Sequence, residues 1–89
     1  MSKNKPIKLS ADELGILTQG TYQVWNCIAA DLDDVESLNN SSAIATCLDS
    51  GCMESYAPEA FALIRKILDC REHTFEQVIR LIAKNLKIA

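Results

Sequence analysis

Apolar residues recur at steps of three and four along most of this chain, and the strict alternation of a half-buried strand is absent. Leu14, Leu17, Thr21, Trp25, Ile28, Leu32 and Val35 form the first series, with Val24 and Ala29 beside it. Steps averaging about 3.5 predict an amphipathic helix with a coiled-coil-like seam. Its start is marked by Ser10 and Glu13, a capping box in which the hydroxyl accepts from the third N–H and the carboxylate reaches back. Gly15 and Gly20 each cost a helix interior about 1 kcal/mol relative to Ala. Gly20 fits either a break or the close crossing of another backbone; Tyr22 and Trp25 carry the pattern past it, so the helix is expected to continue there. Asp31, Asp33, Asp34 and Glu36 oppose the dipole of a last turn and suit a first one. A kink or break is therefore expected near residues 31–33, with residues 33–36 as a second capping box. A helix unbroken to Leu38 is the alternative.

Residues 38–42 (Leu-Asn-Asn-Ser-Ser) are turn chemistry, and Asn40 or Ser41 can cap a short helix over residues 43–48 that carries Ile44, Cys47 and Leu48 on one side. Gly51 suits its C-terminal cap. Residues 52–56 read as a connecting helical turn. Residues 57–70 have the widest apolar stripe, made by Phe61, Ile64, Ile67 and Leu68 with Ala60 and Leu63, and Pro58 fits the first turn. This segment is expected to be the central helix. Thr74 and Gln77 form a third capping box, after which a last helix runs to about Lys87. Its apolar face is Phe75, Val78, Ile79, Ile82 and Leu86, widened by Leu81, opposite Gln77, Arg80, Lys84 and Lys87.

The pattern predicts an all-α fold, a small helical bundle of four to five helices that is open to pairing as a homodimer. Residues 1–9 are expected to be an arm and residues 10–89 one domain. A chain of 89 residues buries only roughly 60–65% of its unfolded surface, so its core is limited, yet 48% hydrophobic residues suffice for one. No apolar run approaches the ~20 residues of a bilayer span. The basic start, with Lys3 and Lys5, has no apolar stretch behind it, so a cytoplasmic location is expected. Cys27, Cys47, Cys52 and Cys70 are then expected to be free thiols.

Charge is segregated. The net charge of −3 conceals nine acids and no Lys or Arg over residues 9–64, followed by six basic residues and three acids over residues 65–89. Carboxylates of the first segment lack partners within it and face solvent or a basic surface, of this chain or another.

Three chemistries can be weighed from residue types. Cys47, Cys52, Cys70 and His73 supply three thiolates and an imidazole for zinc, but the five-residue step from Cys47 to Cys52 departs from a knuckle, so buried thiols and no metal or other cofactor are expected. A Cys–His pair lacks any local signature for nucleophilic catalysis, and no catalytic residue is assigned. Residues 62–86 have a helix-turn-helix outline with Arg80, Lys84 and Lys87 as the phosphate-facing stripe. Glu72 and Glu76 at the start of the would-be recognition helix and a pI of about 5.0 argue against nucleic acid.

The leading reading is a small non-enzymatic protein-interaction module expected to self-associate as a homodimer, with another protein as the second choice of partner and no membrane. A helix-turn-helix nucleic-acid binder over residues 62–86 is the alternative, and a zinc-stabilised or thiol-dependent domain the third. Leu17, Tyr22, Trp25 and Ile28 are its interface candidates, because Trp and Tyr concentrate at interface centres.

Overall fold

The computed structural model describes residues 6–88, which form five α-helices: α1 (Ala11–Ile28), α2 (Asn40–Asp49), α3 (Met53–Tyr56), α4 (Pro58–Asp69) and α5 (Phe75–Asn85). There is no strand among the described residues, and the fold is all-α. The Cα radius of gyration is 12.6 Å, close to the ~12 Å expected of a compact chain of this length. Residues 1–5 of the expected arm lie outside the described residues. Residues 6–10 are irregular, and Ile7 and Leu9 pack on the core.

The first capping box forms as the sequence requires: Ser10 Oγ accepts from the Glu13 N–H at 3.1 Å, and Glu13 Oε1 accepts from the Ser10 N–H at 3.1 Å. α1 then runs unbroken through both glycines. Gly20 is buried at a close crossing with α4, where an added Cβ would overlap the Cβ of Ala60 and stand 3.1 Å from that of Ala57. Gly15 has open space around it. α1 therefore presents a flat spot to two small residues, and the helices approach more closely than larger side chains allow.

The break after α1 falls near the expected aspartates. A 3₁₀ turn over Ala29–Asp31 is followed by extended Leu32. The second capping box does not form: Asp34 makes no side-chain cap, and Val35–Ser37 is a single 3₁₀ turn. Leu32, Val35 and Leu38 are half-buried against the core at three-residue steps, the period of a 3₁₀ rather than an α-helix. Packing these three side chains overrides the local signal for a new helix.

The cap of α2 is Asn39, whose Oδ1 accepts from the Ser42 N–H at 2.8 Å, rather than Asn40 or Ser41. Asn40 is engaged elsewhere. Its Nδ2 donates to the carbonyls of Leu86 at 3.0 Å and Ala83 at 3.4 Å, and its Oδ1 accepts from the Ile88 N–H at 2.8 Å. One side chain thus satisfies the end of α5 from 46 residues away in sequence. α5 stops at Asn85 with Leu86 extended, short of the expected Lys87. The third capping box, Thr74 with Gln77, has both bonds, at 3.2 and 2.8 Å.

The central helix is α1, not the 57–70 segment. α1 packs on α2, α3, α4 and α5, whereas α4 packs chiefly on α1 and α3, and α5 chiefly on α2. The stripe on α4 is wide because Ala60, Ile64 and Ile67 are buried while Phe61, Leu63 and Leu68 are only partly covered. Leu17, Val24, Ile44, Cys47, Met53, Val78 and Ile82 form the enclosed centre. Thr21 is buried among them, its hydroxyl donating to the Leu17 carbonyl at 2.8 Å, so no unmet donor is left there.

Two glycines in one helix give a paired test. Gly15→Ala should raise stability by up to about 1 kcal/mol through helix propensity alone. Gly20→Ala gains the same term but must displace α4, and overpacking at about 1–3 kcal/mol makes it neutral to destabilising. Urea unfolding of both variants checks the opposite signs. Asn40→Ala should cost about 1–3 kcal/mol, because it leaves part-buried groups of α5 and Ile88 unpaired. Amide hydrogen exchange should then rise over residues 83–88 before it rises in α1.

Candidate functional site

A concavity lies where α1 meets the α3–α4 junction. Gly20 sets its floor, since the absent side chain lets Ala57 and Ala60 come close. Ile16, Gln19 and Gln23 of α1 form one wall, and Tyr56, Pro58 and Glu59 the other; the groove encloses about 290 Å³. The local sequence explains both walls. Ile16, Gln19 and Gln23 repeat at three and four on the flank of α1 beside its buried stripe. Pro58 begins α4 and Ala57 bears no capping side chain, so the chain turns sharply and holds Tyr56 at the rim. Ile16 and Tyr56 keep 36% and 47% of their surface exposed, and Tyr22 and Phe75 are the other exposed large apolar side chains among the described residues. Glu59 is the sole charged residue of the lining.

The surroundings are acidic. No carboxylate of residues 9–64 lies within ion-pair distance of a Lys or Arg among the described residues, and an ion pair that does form, Arg80 with Glu76 at 2.6 Å, is local to α5. Glu13 comes nearest to an exception. Its carboxyl is held below the usual carboxylate range chiefly by the Ser10 N–H; desolvation opposes this, and the Ser10 hydroxyl and the charge of Lys66 add lesser lowering effects.

A second concavity of about 170 Å³ lies at the other end of α4, lined by Leu9, Glu13, Lys66, Ile67, Cys70 and His73 among others. The Nδ1 of His73 is buried without a hydrogen-bond partner. Cys70 and His73 are thus neighbours of one cavity, but Cys47 is not there. It lies in the core, where burial pushes its thiol up to about 11. No group of three or more His, Cys, Asp or Glu among the described residues is arranged to hold a metal ion, and the set Cys47, Cys52, Cys70 and His73 is not brought together.

The interface candidates divide. Leu17, Trp25 and Ile28 are inside the domain, at 0%, 7% and 9% exposure, because α1 needs its seam for its own neighbours. Tyr22 stands out to solvent. Periodicity shows a seam but not which molecule fills it, and Ile16 and Tyr56 carried no signal beyond being apolar and outside the core pattern. The basic stripe is also altered: Arg80 is tied to Glu76, Lys84 is exposed, and Lys87 falls in irregular chain past α5, so the three do not form one helical face. Arg71 takes the left-handed conformation, φ 59°, at the α4–α5 turn where glycine is usual. No helix among the described residues is long and apolar enough to cross a membrane. No family model matches the chain, and no curated protein or solved structure shows significant similarity to it.

Thiol reactivity reads the cysteine environments directly. Cys27 and Cys70 are exposed, Cys52 is half-buried and Cys47 is enclosed. A disulfide-exchange reagent should modify Cys27 and Cys70 first and leave Cys47 unreacted until denaturant is added, since reactivity follows thiolate and access. Mass spectrometry of partly labelled protein identifies the order. Fast labelling of Cys47 in the native state would contradict this burial.

Proposed function

We propose that this protein is a small non-enzymatic interaction module whose working surface is the groove between α1 and the α3–α4 junction. The observation that carries the reading is the exposure of Ile16 and Tyr56 on two facing walls of a concavity, outside the core that folds the chain. Large apolar side chains left exposed outside the core are suited to a partner. The walls add Gln19 and Gln23, neutral amides able to meet the polar groups of an incoming backbone.

A second copy of the chain is the alternative partner, favoured by Tyr22, which projects from the side of α1 turned away from the core. Nucleic acid is disfavoured by the acidic field of residues 9–64 and by the shortened basic stripe.

Stability separates an interaction role from a structural one. Ile16→Ser combined with Tyr56→Ser should cost less than about 1 kcal/mol, whereas core truncations such as Leu17→Ala cost about 2–5 kcal/mol. A core-sized loss in the double variant would show that these side chains hold the fold and would remove the reading. Light scattering across a wide concentration range tests the partner: the free protein should stay at 9.8 kDa, and a concentration-dependent mass reversed by the same serine pair would point to self-association.

A further inference from the structure

We infer that the groove receives a basic amphipathic helix of a partner protein, an inference that rests on the interaction-module reading and narrows it to one class of ligand. The α1 wall runs from Ile16 to Gln23, about 10 Å or two helical turns, the reach of anchors at i, i+3, i+4 and i+7 on a docked helix. Ile16 and Tyr56 offer apolar surface to such anchors from opposite sides. The charge around them has one sign. Glu59 is in the lining, and Asp12 lies one turn before Ile16 on the same face of α1. Both are exposed, and residues 9–64 contain no cation to neutralise them. A partner with Lys or Arg flanking its apolar anchors gains at both levels, and an acidic partner is repelled.

A second copy fits less well. It brings Arg80, Lys84 and Lys87, but Val78 and Ile82 on the apolar side of its α5 are fully buried in its own core. Exposed ion pairs alone hold two molecules weakly. Of the apolar side of α5 the copy leaves Phe75 39% exposed, one anchor rather than a row, so it supplies charge with little apolar surface for the groove.

The test uses the full chain, isotope-labelled, and two synthetic amphipathic peptides of about 14 residues, four helical turns, one of Leu and Lys and one of Leu and Glu in the same pattern. The Leu/Lys peptide should bind saturably and shift the amide signals of Gln19, Gly20, Gln23 and Tyr56; the Leu/Glu peptide should not bind. Gln23→Lys should weaken binding at least about tenfold, while Asp34→Asn, an equal change of one charge outside the groove, should change it less than about twofold. Equal weakening by both variants would reduce the effect to diffuse attraction and overturn the inference. So would saturable binding mapped to another surface, which leaves the module reading intact, or a groove already covered by a second copy. Binding of neither peptide, with the serine pair as stable as the parent, also sinks the basic-helix assignment and separates its failure from that of the module.

Discussion

The contact that the rest of this domain depends on is the close approach of α1 and α4 at Gly20, Ala57 and Ala60. Three small residues let two helices meet almost backbone to backbone, and dispersion contacts accumulate where each atom has neighbours on all sides. The consequence reaches past the pair. With α4 drawn in, the short α3 is held against α1, and α2 and α5 close the other side over Val24, Ile44, Cys47, Val78 and Ile82. The same approach makes the groove, because a glycine at the floor leaves the flanking side chains standing as walls.

Polar satisfaction ties the ends of the chain to that core. Ser10 and Thr74 cap their helices locally, through residues three positions away. Asn40 works over a long distance, holding the end of α5 and the chain beyond it with one amide group. Donor and acceptor are both used, which fixes the orientation of the amide and leaves no half-met group in a part-buried place. In an 89-residue domain with a limited core, such a link confers a large share of the order at the C-terminus.

The charge pattern acts on the surface and not on the fold. The acids of residues 9–64 remain unpaired with Lys or Arg among the described residues, so they contribute a field of one sign around an otherwise neutral groove. Exposed pairs would add only about 0–1 kcal/mol each, so leaving them unmade costs the fold little. What the arrangement supplies is discrimination between partners, which depends on sign and position more than on stability.

Local chemistry by itself determined the all-α class, the starts of α1 and α5, the continuity of α1 through Gly20 and the break among the aspartates. Each rests on interactions within about one helical turn, the range over which caps, dipoles and periodicity act. Tertiary structure decided the remainder. It made α1 the hub in place of the 57–70 segment with its wider apolar stripe, since the width of a stripe counts greasy positions but not which helix lies in the middle. It turned residues 32–38 into 3₁₀ packing in place of a second capped helix, and it ended α5 early by recruiting Asn40. It also took Leu17, Trp25 and Ile28 inward and left Tyr22, Ile16 and Tyr56 outside. One apolar pattern serves a core and an interface equally well, and only the placement of the other helices determines which side chains water still reaches.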